Sequence, residues 1–309
     1  MHDSTPPLSH FHYDPKWDSK WDCNPEWGTR HAARDISSRV AYVNLGDNRF
    51  MSLHRFFLDN QILSDESSEV FALRLTPDDV KHARVFRLQA GEHIAVIDAS
   101  SDYFECEVTS FDDDLFVRIC AHEDAEEMGP QVILLQGLAK GDKFDSVVRH
   151  ATEIGVAAFV PLVCERSVVK LDKKKAQARV SRWESIAKSA AMQAGLRSIP
   201  EVAAPASVED ACAMVAGATC VLVAWEEAHA LTIKDAISIA LADTLTPVQD
   251  ARVAVVVGPE GGLTEAEVDC FVSAHDNAYA VTLGPHILRT ETAGLIAPAI
   301  AIYELGGLQ

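Results

Sequence analysis

No stretch of about 18 uncharged apolar residues occurs in this sequence, so a membrane-spanning helix is not expected. A Cys-x-x-Cys pair is also missing. The seven cysteines are scattered, which argues against a disulfide framework or a zinc site and for reduced thiols in the cytoplasm. No group of His, Cys and carboxylates stands at ligand spacing, and no metal is expected. Neither G-x-G-x-x-G nor the Walker phosphate loop is present, which argues against the usual dinucleotide and nucleoside triphosphate sites. The opening segment, MHDSTPPLSHFHYDPKWDSKWDCNPEWGTR, lacks an apolar core and is not expected to act as a signal peptide.

Positive charge is scarce as well. Lys and Arg number 27 against 46 Asp and Glu, a formal net charge of -19. Taken alone, that argues against a nucleic-acid partner, because phosphate contacts need cations. The distribution is uneven, however. Lys81, His82, Arg84 and Arg87 lie in one short stretch, and Lys170, Lys173, Lys174, Lys175, Arg179 and Arg182 in another. Such stretches are either solvated helix faces or a basic surface on an acidic protein.

The 309 residues suffice for one large or two ordinary domains. Residues 1–50 mix Pro, His, Trp and Asp without a lasting period and are expected to be a loosely packed extension. Met51 opens MSLHRFFL. Over residues 51–122 the segments HRFFL, EHIAVID, YFECEV and LFVRIC read as strands. Thr76-Pro77-Asp78-Asp79 reads as a capped helix start, so a helix is expected through about Arg87. Together these predict a small β-barrel with one helix. From residue 131 to 309 strand and helix alternate. VILLQGL, AAFVPLV, TCVLVAW, RVAVVV and YAVTL are apolar runs separated by helical spacings. That predicts an α/β domain with a parallel sheet covered on both faces. Thr264 and Glu267 form a capping box, and a last helix is expected from near Thr292, kinked at Pro298.

Two of these strands empty into Gly-Pro loops, VVVGPEGGLTEAEV and VTLGPHILRTET. In an open parallel sheet, ligands sit beyond the carboxyl ends of strands. Gly258, Gly261 and Gly262 permit close backbone approach, and Pro259 stiffens the turn. Glu260 would repel a phosphate, so the first loop suits a neutral or cationic ligand. In the second loop Leu288 can contact a flat ring. Arg289 precedes a helix N-terminus, where it opposes the helix dipole. A cation there either serves an anion or a developing negative charge, or pairs with an acid such as Glu291 or Glu260.

These two loops, in this order, resemble the C-terminal signature of the RsmE family, 16S rRNA uridine-N3 methyltransferases of the SPOUT superfamily. The segments LAKGDKFDSVVRHATEIGV, FVPLVCERSVVK, RWESIAKSAAMQAG and HARVFRLQAGE are similar to the rest of that family, and the resemblance runs from Leu53 to Leu305. It implies a PUA-like RNA-binding domain followed by a methyltransferase domain with a trefoil knot. It also implies S-adenosylmethionine as cofactor, a cytoplasmic homodimer, and 16S rRNA of the small subunit as partner. The family's cofactor loops fall here on Gly258, Glu260, Gly262, Leu283, Gly284, Ile287 and Leu288. Arg289 would stabilise the uridine anion, and Thr290 or Glu291 would orient the base or take its proton. Arg84, Arg87, Lys140, Lys143, Arg166 and Arg197 fall on basic positions expected to touch RNA, with Arg166 alternatively structuring the pocket. His286 replaces the Arg usual in GPRILRTET, and Leu196 follows Gly195 where Arg is common. The nearest rival is ribose methylation by another SPOUT enzyme, and a non-catalytic RNA-binding factor is the rival of a different class.

Overall fold

The computed structural model describes residues 53–125, 129–169 and 171–308. The extension expected over residues 1–50, Met51 and Lys170 lie outside the described residues.

The first sheet has the order β1-β3-β4-β5-β2, from β1 (His54–Phe57), β2 (Phe71–Ala72), β3 (His93–Ile97), β4 (Tyr103–Phe111) and β5 (Leu115–Glu123). β3, β4 and β5 form an antiparallel meander, and β1 adds to β3 in parallel. Period-two burial explains the meander. Phe104, Cys106 and Val108 are buried, while Glu105 and Glu107 between them are half-exposed. Among the described residues the end strands β1 and β2 do not pair, so the expected barrel is here a five-stranded mixed sheet. Helix α1 (Pro77–Phe86) starts where Thr76 Oγ1 accepts the Asp79 N–H at 3.2 Å. It stops at Arg87, whose φ of 56° is left-handed.

The second sheet is parallel throughout and ordered β12-β10-β11-β6-β7-β8, with β9 also on β7. Its strands are β6 (Gln131–Gly137), β7 (Ala158–Val163), β8 (Glu201–Val202), β9 (Ala206–Ser207), β10 (Cys220–Ala224), β11 (Arg252–Val257) and β12 (Ala278–Val281). Around it lie α2 (Lys143–Glu153), α3 (Lys173–Ala194), α4 (Val208–Met214), α5 (Ile233–Thr244), α6 (Glu265–Ala274) and α7 (Thr290–Glu304). The central strands β6 and β11 are buried along nearly their whole length, as continuous apolar runs require.

Helix α3 feeds both cores. Trp183 and Ala187 pack under the parallel sheet, whereas Ala191 and Met192 complete the core of the first sheet. Lys188 on the same helix pairs with buried Asp79 of α1 at 2.7 Å. Trp183 is fully buried and leans on Phe144 with ring centroids 4.4 Å apart. Its indole N–H donates to Asp145 Oδ1 at 2.8 Å, and Arg182 holds the other oxygen. Asp145→Ala is therefore expected to cost about 1–3 kcal/mol, because a buried donor loses its acceptor. A urea midpoint unchanged from wild type would contradict this.

The last helix begins at Thr290, two residues before the expected start. The Arg289 carbonyl already accepts from the N–H groups of Thr292 and Ala293 at 2.9 and 2.8 Å. Thr290 and Glu291 thus belong to the first turn rather than to the loop.

Candidate functional site

The loops after β10, β11 and β12 meet at one end of the parallel sheet and enclose a cavity of about 490 Å³. Its walls include Gly258 to Leu263 from the loop after β11 and Thr282 to Thr290 from the loop after β12. All the glycines and apolar residues expected to hold a ligand therefore line one cavity.

The first loop is shaped by close approach. Gly137 ends β6 against it, and an ideal Cβ there would stand 2.3 Å from the Pro259 nitrogen. Gly262 adopts a φ of 71°, a region that L side chains rarely enter. Arg166 clamps the loop from outside, donating to the carbonyls of Gly261 and Leu263 at 3.0 and 3.3 Å. Arg166, expected either to touch RNA or to structure the pocket, is here hydrogen-bonded to the pocket's first loop. The capping box of α6 adds a further tie, since Glu267 Oε1 accepts from the Glu165 N–H at 2.7 Å.

Two contacts join the loops to one another. The Thr290 hydroxyl donates to the Gly258 carbonyl at 2.6 Å and accepts from Gln136 Nε2 at 2.8 Å. Thr290 is buried, and its only proton is spent on the backbone. Lys143, at the start of α2, reaches Glu260 at 3.1 Å and Glu291 at 3.4 Å. Two carboxylates compensate a cation at a helix N-terminus, where it would otherwise oppose the dipole. Burial pushes the Glu260 carboxyl upward. Backbone N–H groups, including that of Lys140 at 3.0 Å, and the Lys143 ammonium outweigh it and hold Glu260 below the usual carboxylate range. The hydrogen bond that Lys143 donates to Glu260, with the nearby charges, raises Lys143 above its ordinary value. Both groups are therefore ionised at neutral pH.

Arg289 is exposed at the cavity mouth, and among the described residues no carboxylate pairs with it. The acids that could have neutralised it, Glu260 and Glu291, are turned to Lys143 instead. Glu291 is not part of the cavity lining. Of the three residues expected to carry chemistry, Arg289 alone faces the cavity with its functional group uncommitted. Ile287 lines the same rim and is 89% exposed, an unusual state for an isoleucine on an ordered loop.

The remaining basic positions are dispersed. Arg84 on α1 and Arg87 at its C-terminal cap are exposed, with Asp113 4.0 Å from Arg84. Arg197 pairs with Glu123 and lies over the Tyr103 ring at 4.9 Å. The Lys140 side chain is part of no ion pair among the described residues and does not line the cavity, and His286 is exposed at the rim.

Sequence reasoning missed Trp225, Glu226 and His229, which also line the cavity. They follow β10, which lies between β11 and β12. Applied to this strand too, the rule that ligands gather at strand carboxyl ends would have found them.

A family model described as an RNA methyltransferase domain matches residues 126–302. The ribosomal RNA small subunit methyltransferase E of Bacillus subtilis is 34% identical over 257 residues, 82% of this chain and 97% of that one. Its namesake in Mycobacterium bovis is 31% identical over 70% of this chain and 79% of that protein. A crystal structure of the ribosomal RNA small subunit methyltransferase E from Neisseria gonorrhoeae, bound to S-adenosyl methionine, superposes with a TM-score of 0.65. It is 27% identical, covering 81% of this chain and 97% of that one.

Proposed function

This chain belongs to the RNA methyltransferase family that includes ribosomal RNA small subunit methyltransferase E, and from that premise we propose that it methylates N3 of a uridine in 16S rRNA of the small ribosomal subunit, with S-adenosylmethionine as donor. The observation that carries this reading is the single cavity built from the two Gly-Pro loops, with uncommitted Arg289 at its mouth. The residues present fit such a cofactor. The volume lies in the range of small-molecule sites. Gly262 leaves a cradle that a Cβ would fill, and the lining acids suit a cation better than a phosphate. When bound, the cofactor supplies a methyl carbon on positively charged sulfur.

The chain's own part is alignment and charge. Uridine N3 carries a proton near neutral pH and is a poor nucleophile until that proton leaves. Arg289 stands where it can stabilise negative charge spreading over O2 and O4. Thr290 fixes the distance between the loops, and Lys143 with Glu260 and Glu291 fixes their mutual tilt. Thr290 and Glu291 act here as positioning residues. Holding the reacting atoms in line accounts for much of the expected rate.

The finer architecture follows the same reading. Residues 51–122 form the PUA-like RNA-binding domain, presenting Arg84 and Arg87, and residues 131–309 form the methyltransferase domain. A trefoil knot brings the loops at 258–262 and 283–290 together, a reading supported by the Thr290–Gly258 contact between them. No helix among the described residues is long and apolar enough to cross a membrane; the family reading, not that absence, puts its work in the cytoplasm. Two copies form the active enzyme. Exposed Ile296, Ile300 and Tyr303 follow helical spacing along α7 and give an apolar stripe for the second copy. Ile300→Asp is expected to convert a dimer to monomer in analytical ultracentrifugation. A variant that dimerises like wild type would remove this stripe from the interface.

The test is methyl transfer from labelled S-adenosylmethionine to small subunits lacking the modification, with the RNA digested to nucleosides. Labelled 3-methyluridine is expected. Label on ribose or on another base would overturn the assignment to N3.

A further inference from the structure

We infer that Glu226 is the receptor for positive charge on the cofactor, its carboxylate facing a cationic group of S-adenosylmethionine in the cavity. This rests on the cofactor reading proposed above. Glu226 stands in the turn just past β10, where the Trp225 N–H donates to the Val281 carbonyl at 3.2 Å and the Ala228 N–H to the Trp225 carbonyl at 3.1 Å. The turn is thus tied to β12, and the side chain is presented at the sheet's carboxyl edge between β11 and β12.

The carboxylate lies directly over the first loop. An ideal Cβ on Gly262 would stand 2.5 Å from Glu226 Oε1 and 3.3 Å from its carboxyl carbon. Glycine at 262 is required by its φ of 71°, and its missing side chain lets the acid lie close above the loop. The cavity has two acidic lining residues, Glu226 and Glu260. Glu260 is occupied by Lys143 and by the Lys140 N–H. Glu226 has no ion pair and accepts no hydrogen bond among the described residues. Arg289 is on the lining too, but the two are not paired. One concave site therefore holds an uncompensated anion and an uncompensated cation. Glu226 and Arg289 are both exposed to the cleft, and opposite fixed charges in one concave site sort a ligand by its own charges. S-adenosylmethionine offers two cations for Glu226, the sulfonium and the α-ammonium, and it leaves Arg289 to the anion formed on the base.

The experiment is calorimetric titration of wild type, Glu226→Gln and Glu226→Asp with three ligands. S-adenosylmethionine carries both cations, S-adenosylhomocysteine keeps only the ammonium, and 5′-methylthioadenosine has neither. Glu226→Gln is expected to weaken S-adenosylmethionine roughly 10- to 100-fold, the range for a charge-assisted contact, and to leave 5′-methylthioadenosine unchanged. Glu226→Asp should lie between. Loss for S-adenosylmethionine alone identifies the sulfonium as partner, and equal loss for S-adenosylhomocysteine identifies the ammonium. Unchanged binding of all three, or equal weakening of all three, overturns the inference and leaves the cofactor reading standing. A folded wild type that binds none of them overturns both.

Discussion

Arg289→Ala should lower methyl-transfer turnover by about 10²- to 10³-fold, the usual effect of deleting one preorganised donor to a developing anion. Cofactor affinity should stay at the wild-type value, because the guanidinium is assigned to the base and not to the donor. The expectation rests on a competition that the fold has already settled. Lys143 draws Glu260 and Glu291 to itself at 3.1 and 3.4 Å, so neither acid is left to neutralise Arg289. The N-terminus of α7 adds positive potential at the same place. A cation held there opposes the helix dipole, and an arriving anion relieves that opposition. Single-turnover kinetics with saturating cofactor, beside calorimetric affinity, separate the two effects. A variant that loses cofactor binding but keeps turnover would move Arg289 from the reaction to the donor. Arg289→Lys tests shape against charge, since Lys offers a point charge without the planar fork.

How legible this site was depends on which forces set each part. The β6 and β11 strands were readable because burial on both faces demands unbroken apolar runs. The two Gly-Pro loops were readable because close backbone approach selects glycine whatever surrounds it. The partners of those loops were not. Lys143 precedes Glu260 by more than a hundred residues, and no local pattern says that one ammonium will bridge Glu260 and Glu291. Thr290 looked chemically available as a residue type, and only the fold shows its hydroxyl spent between Gln136 and Gly258. The start of α7 falls before the expected Thr292 because Arg289 is not a typical cap, and its side chain makes no capping bond. Helices α4 and α5 did carry a signal, since Ser207 and Thr232 each accept from the N–H three residues on. Strands β8 and β9, two residues each, have too little length for any period to appear. Sheet order was hidden for another reason. It depends on which apolar face meets which helix, and these strands are nearly alike.

Gly137→Ala should disable the site from a residue that never touches a ligand. The new methyl would stand 2.3 Å from the Pro259 nitrogen and 2.7 Å from the Gly258 carbonyl carbon, and both are backbone atoms. The Gly137 side cannot easily withdraw. Gly137 is registered against Leu162 of β7, while its neighbour Gln136 is registered against Val257 of β11. Both neighbours sit in the middle of the parallel sheet, so the loop is the part that must move. Displacing it pulls Gly258 away from the Thr290 hydroxyl, a 2.6 Å bond that joins the two cavity walls. Overpacking of this kind costs about 1–3 kcal/mol of stability. Misplacing a reacting group by an ångström can cost roughly 10²-fold in rate, so transfer should fall further than folding does. The control is Gly217→Ala, where an added Cβ meets nothing within 4 Å. Urea denaturation, cofactor titration and methyl transfer on both variants decide the matter. Gly137→Ala with wild-type stability and transfer would mean that the first loop is not held against the end of β6, and that the cavity's shape has another origin.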